Sequence, residues 1–299
     1  MPSNDPRPSK ADRREAARAE AARLRAEQAR KAKRTRIIAI SGLAAAVIAL
    51  AVVVALIITN STANREAYGQ VVYGGTSDTV EAPALTDVTS PAGTDDRGGI
   101  PVSADGVGTT GDAPVELTVY LDYQCPFCAQ FEAANAQMLA ERTEAGDISV
   151  TYHLLSFLDR ASNGTFYSTR AANAAATVAD QDPDNFIAFS TALFENQPAE
   201  GTEGLTDAEI AEIAQGVGVP AAVTDTFTDT VSGSFTDGDG EQEGTWRTYA
   251  PWVVAVTGQA EADLPRLSTP TILIDGQPFS GDPTTPGPLE EQIDLALAG

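Results

Sequence analysis

The two cysteines of the chain, Cys125 and Cys128, stand in the run Cys125-Pro126-Phe127-Cys128. Thiols at this spacing exchange two electrons by alternating between a dithiol and a disulfide, and no cofactor is needed for that. Competing chemistries fit less well. Haem attachment would need His directly after the second cysteine, where the chain has Ala129. Zinc would have two thiolates, the lone His153 and carboxylates, a thin set for a closed tetrahedral site. An inert disulfide across so short a loop would remove little chain entropy. Pro126 suits the first position of a helix, where its missing N–H costs nothing. Cys125 then sits at the helix N-cap, where unpaired N–H groups and the helix dipole favour a thiolate.

Composition narrows the field in the same direction. Two cysteines exclude a disulfide-stapled scaffold, and one histidine leaves little for a His-rich metal site or a Ser-His-Asp triad. The formal net charge of −23 opposes polyanion binding, so no nucleic-acid partner is expected. No metal and no cofactor are expected either.

The elements that must hold the cysteines are legible around them. Val115, Leu117, Val119 and Leu121 alternate in a strand that runs into the Cys motif, and good helix formers follow over 129–142. Further strands are expected at 100–103, 148–155 and 271–274, the last closed by the turn Asp275-Gly276. Helices are expected at 168–179, 185–195, 207–215, 220–231, 245–257 and 289–297. The fold class is therefore α/β, with a helical insertion over about 160–260. The acidic stretch 236–243 reads as a solvated loop, and Trp246, Tyr249 and Trp252 as one inward-packed helix face. His153 reads as a structural histidine within a strand. Glu116 and Asp122 fall on the face opposite the alternation and are expected to be solvated. Tyr123 and Phe127 flank the cysteines as an apolar docking surface.

Cys125-Pro126-Phe127-Cys128 at a strand–helix junction, Thr269-Pro270 before a strand and Asp-Gly turn, and the intervening helical block resemble the DsbA-like branch of the thioredoxin superfamily. Asp122-Tyr123-Gln124 and Tyr152-His153-Leu154-Leu155 also resemble its bacterial membrane-anchored members. The resemblance covers about residues 100–299 and implies a thioredoxin-like fold. It further implies that Pro270 is cis and faces the cysteines, and that Thr269 and Pro270 line the groove for the substrate's extended chain. Cys125 is then the attacking sulfur and Cys128 the resolving one. Exported, reduced or unfolded proteins would be the clients, and a quinone-coupled membrane protein of the DsbB or VKOR type the re-oxidant. Two positions depart from the family pattern. Phe127 stands where the most oxidising relatives carry His, and Val119 where thioredoxin-type proteins often bury a carboxylate.

Charge also divides the chain. Residues 1–36 hold 12 Lys/Arg against 5 Asp/Glu, whereas beyond Ile58 seven Arg face 37 acids. Between them, residues 37–58 carry no charge, with Ser41 and Gly42 the only non-hydrophobic members. As a helix that run spans roughly 33 Å, enough for a bilayer core. The reading is a basic cytoplasmic arm (1–36), a single transmembrane helix (37–58), a flexible linker (59–96) and a folded extracytoplasmic domain (97–299), oriented by the positive-inside rule. The expected function is an anchored extracytoplasmic thiol–disulfide oxidoreductase that introduces disulfides into exported proteins. A reductase or maturation factor, and a non-catalytic thioredoxin-fold binding module, are the alternatives. The acidic surface suggests solubility and basic clients.

Overall fold

The computed structural model describes residues 10–68, 71–72 and 80–299. The chain divides into two compact units, 1–59 and 60–299. Helix α1 (Lys10–Tyr68) begins in the first unit. Among the described residues no helix is long and apolar enough to cross a membrane, and several side chains of the expected span 37–58 are not among those described.

The second unit is built on a six-stranded sheet. Its strands are β1 (Ile100–Ser103), β2 (Gly106–Val107), β3 (Val115–Leu121), β4 (Ile148–Leu154), β7 (Thr271–Ile274) and β8 (Gln277–Pro278), in the order β2-β1-β4-β3-β7-β8. β3 and β4 are parallel, joined by α2 (Pro126–Glu144), while β7 runs antiparallel to β3. The pairing of Tyr120 with Thr271 puts the entry of β7 beside the exit of β3. The alternation that marks β3 is real: Val115, Leu117, Val119 and Leu121 are buried. α8 (Pro288–Leu297) closes the chain.

The insertion consists of α3 (Tyr167–Gln181), α4 (Phe186–Glu195), α5 (Asp207–Gly216), the short α6 (Ala221–Thr224), a two-stranded ribbon of β5 (Thr230–Asp237) and β6 (Gly240–Arg247), and α7 (Ala250–Asp263). α3 is buried from Tyr167 to Ala179, because Ala171, Ala172, Ala174, Ala175 and Ala176 let neighbouring helices approach closely.

Three expectations change here. The helix foreseen at 220–231 is cut short to α6 and a 3-10 turn ending at Thr228, the one foreseen at 245–257 starts only at Ala250 as α7, and the ribbon takes their inner ends. Trp246 therefore lies in β6, whereas Tyr249 and Trp252 are buried as foreseen. The acidic loop is the ribbon's tip, where the Asp239 N–H donates to the Asp237 carboxylate at 2.8 Å. Its strands are rich in Ser, Thr, Gly and Glu, so no apolar alternation announces them.

The stretch 59–96 is also not a coil throughout its described residues. α1 continues to Tyr68, and the Val72 N–H donates to the Thr245 carbonyl of β6 at 2.8 Å. The Glu81 N–H meets the Thr236 carbonyl of β5 at 2.9 Å, and the Ala92 N–H meets Asp180 Oδ1 at 2.8 Å. Leu85 and Val88 pack on the core at a spacing that matches neither helix nor strand, which is why periodicity passes over them.

Candidate active site

Cys125 is the N-cap of α2, with extended backbone (φ −76°, ψ 117°), and Pro126 takes the first helical turn. β3 ends at Leu121 and delivers the chain to this point, where Pro126 opens the helix at a position whose missing N–H costs nothing. The Cys125 N–H donates to the Asp122 carbonyl at 2.9 Å, and the Cys128 N–H to the Cys125 carbonyl at 3.0 Å. Both cysteines are free thiols in this structure, and both are buried. Phe127, between them, is 59% exposed.

The second wall comes from the loop before β7. The Cys125 thiol donates to the Thr269 carbonyl at 3.2 Å, and the Thr269-Pro270 peptide is cis. Cys125, Pro126, Phe127, Cys128, Thr269 and Pro270 therefore form one site at the carboxyl end of β3.

Electrostatics divides labour between the sulfurs. A hydrogen bond from the Cys128 thiol lowers the Cys125 pKa to about 6, with burial opposing and Thr269 and the backbone N–H groups of Cys128 and Phe127 assisting. Burial, and the donation to Cys125, raise the Cys128 thiol well above its ordinary range. The arrangement can therefore hold one sulfur as a thiolate near neutral pH while the other keeps its proton.

Two residues differ from expectation. Asp122 is fully buried: Oδ1 accepts from Ser168 Oγ at 2.6 Å and Gln124 N at 2.9 Å, and Oδ2 from Leu158 N at 3.0 Å. Burial pushes its carboxyl up to about 7. Position 122 lies past the end of β3, where strand parity no longer says which way a side chain points. Tyr123, foreseen on a docking surface, is also fully buried, donating to Ser190 Oγ at 3.0 Å and lying 4.9 Å from the Phe194 ring. α4 of the insertion covers it. Glu116 is exposed as foreseen, and His153 is buried, its ring stacked 4.4 Å from Tyr120.

Gln197 escaped the sequence reading altogether. Its Nε2 donates to the carbonyls of Tyr123 at 2.8 Å and Cys125 at 2.9 Å, fastening the Cys loop from the segment after α4. Only the fold brings it there, across more than 70 positions, and no local signal marks it. Gln124 makes a matching tie, donating from Nε2 to the Ala161 carbonyl at 3.0 Å.

With this geometry in place, comparison with known proteins adds a lineage. A family model described as thioredoxin matches residues 107–295. The serine/threonine-protein kinase PknE of Mycobacterium tuberculosis is 38% identical over 117 residues, which are 38% of this chain and 21% of that protein. Disulfide bond formation protein D of Bacillus subtilis is 30% identical over 105 residues, 35% of this chain and 45% of that protein. The chain thus spans less than half the length of these curated relatives. Among solved structures, the reduced disulfide bond oxidoreductase DsbG of M. tuberculosis superposes with a TM-score of 0.51 at 25% identity, covering 67% of this chain and 88% of that one.

Proposed function

The chain belongs to the thioredoxin family, and we propose that it is a DsbA-type thiol–disulfide oxidoreductase that introduces disulfide bonds into exported proteins. The observation that carries this reading is the pairing of a Cys125 thiol lowered to about 6 with a buried, proton-retaining Cys128, opposite the Thr269 carbonyl.

In the oxidised enzyme a client thiolate attacks Cys125 Sγ, the Cys125–Cys128 bond breaks, and its electron pair leaves on Cys128, which takes up a proton. A second client thiolate then attacks its own chain's sulfur in the mixed disulfide. The client disulfide forms and the Cys125 thiolate departs, so two electrons pass to the enzyme. Stabilising the Cys125 thiolate makes this departure easier and favours the reduced enzyme. Thr269 and Pro270 orient the client chain beside Cys125. A quinone-coupled membrane protein of the DsbB or VKOR type removes the two electrons.

We place the catalytic unit outside the cell membrane, held by residues 37–58 with the N-terminus inside. Support comes from the charge asymmetry across that run. Large apolar side chains of α1 from Ile40 to Ile58, Leu43 at 69% and Leu50 at 65% among them, also stand exposed. The lipid bilayer is the partner such a surface fits.

The test is the reduction potential of the full chain in neutral-detergent micelles, equilibrated in glutathione or dithiothreitol buffers and read by thiol alkylation. A value toward about −120 mV marks a disulfide donor, and one near −270 mV a reductase. A value below roughly −300 mV marks an inert disulfide and ends the enzymatic reading.

A further inference from the structure

Beyond Ile58 the chain carries 37 acidic residues and seven arginines, so an arginine has carboxylates available on almost every side. Four arginines use them. Arg97 pairs with Asp263 at 2.8 Å, Arg142 with Asp294 at 2.6 Å and Asp147 at 3.1 Å, and Arg170 and Arg247 share Asp207 at 2.8 Å each. Arg160 and Arg266 form no ion pair within 4.0 Å among the described residues, and both are exposed.

These two are not scattered. Arg160 sits in the loop after β4, which the Cys segment grips on both sides of it. The Leu158 N–H donates to Asp122 Oδ2 at 3.0 Å, and Gln124 Nε2 donates to the Ala161 carbonyl at 3.0 Å. Arg266 lies three residues before Thr269, whose carbonyl accepts the Cys125 thiol. Three residues of extended chain span at most about 10 Å. Beyond Ile58, the arginines with described side chains and no carboxylate partner thus stand on the two loops that frame Cys125. Arg160 is also oriented: Nη1 donates to the Phe157 carbonyl at 3.0 Å, and the guanidinium lies 5.6 Å from the Phe157 ring centre. A guanidinium held that way keeps its other N–H groups free for a carboxylate.

We infer that Arg160 and Arg266 form a cationic rim at the mouth of the Cys125 site, selecting client segments that carry an acidic side chain near the reacting cysteine. The inference rests on the oxidoreductase reading above and names its substrate class. It opposes the preference for basic clients suggested by net charge alone. At physiological ionic strength charges are screened over about 8 Å, so the rim counts for more at the reacting sulfur than acids elsewhere on the domain. A client running past Thr269 in extended form brings side chains two or three positions from its cysteine within reach of the rim.

The experiment uses the oxidised full chain in neutral-detergent micelles and three single-cysteine peptides differing only in Asp, Ser or Lys two positions from the cysteine. Mixed-disulfide formation is timed at 50 mM and 500 mM salt, with uncharged dithiothreitol as reference. The expected order is Asp, Ser, Lys, with about tenfold between the extremes at low salt and near equality at high salt, as exposed ion pairs behave. In R160Q/R266Q the preference disappears while the dithiothreitol rate stays unchanged. Equal peptide rates in the wild type, or a preference surviving in R160Q/R266Q, overturn the inference. So does an arginine-dependent rate gain that appears only when phosphatidylglycerol is added to the micelles, which assigns the rim to a lipid surface. Failure of dithiothreitol itself to reduce the wild type would fell the oxidoreductase reading instead.

Discussion

The Thr269 carbonyl accepts the thiol of Cys125 at 3.2 Å across 144 positions of sequence. That contact closes the site, and it exists only while the sulfur keeps its proton. Once the proton leaves, Cys128, the Thr269 side chain and the N–H groups of the first helical turn hold the charge.

Alkylation of the reduced chain with iodoacetamide should therefore rise with a midpoint near pH 6, where an unperturbed thiol would give about 8.5. The folded-state value lies below the unfolded one, so this stabilisation is complete above about pH 8.5 and is lost as pH falls through about 6. At pH 7 it amounts to about 1.4 kcal/mol in favour of the dithiol, or roughly 30 mV. A midpoint at pH 8 or above would contradict the assignment of Cys125 as the nucleophile.

Asp122 and Asp159 carry the opposite sign. Burial pushes both carboxyls up to about 7. Their contribution to stability is complete below the unfolded value near 4 and is lost as pH rises through about 7. Urea unfolding should show stability declining across that window, and Asp122→Asn should flatten the decline. The same variant should lose about 1–3 kcal/mol at pH 5, since its amide N–H₂ faces at least one of the donors from Ser168, Gln124 and Leu158. Unchanged pH dependence in Asp122→Asn would remove Asp122 from this account.

Phe127 is exposed beside the buried cysteines, so the docking role proposed for it can be tested without disturbing the core. Phe127→Ser should raise KM for an unfolded client about threefold to tenfold, with kcat toward dithiothreitol unaltered and stability within about 0.5 kcal/mol of wild type. Steady-state kinetics separates the two parameters, and an unaltered KM would refute the docking role.

The proposed anchor has its own test. The full chain should stay in the membrane pellet through alkaline carbonate extraction, whereas a chain lacking residues 1–59 should appear in the supernatant. Release of the full chain would refute anchoring by residues 37–58.

Much of the site was legible in local sequence. Pro126 after a strand of alternating Val and Leu identifies a strand–helix junction, and that junction places Cys125 at an N-cap without knowledge of the fold. Apolar alternation located β3, which leaves Glu116 exposed, while β1, β4 and β7 stand where short strands were expected, β1 and β4 being buried at every position. The ribbon β5–β6 wrote no such pattern, since its polar strands bury little, and helices were expected in its place.

What the chain's order of residues determined by itself, then, was the chemistry: a thiol pair, its helix start, and a Thr-Pro step before a strand. What only the tertiary structure decided was the environment that tunes it. Ser168 of α3 and Ser190 of α4 reach Asp122 and Tyr123 from far along the chain and turn two residues expected at the surface into buried, hydrogen-bonded ones. Gln197 fastens the Cys loop, and the antiparallel register of β7 against β3 carries Thr269 to Cys125. Periodicity reports which face of an element is apolar. It does not report which distant element will cover that face, and burial and pKa depend on that cover.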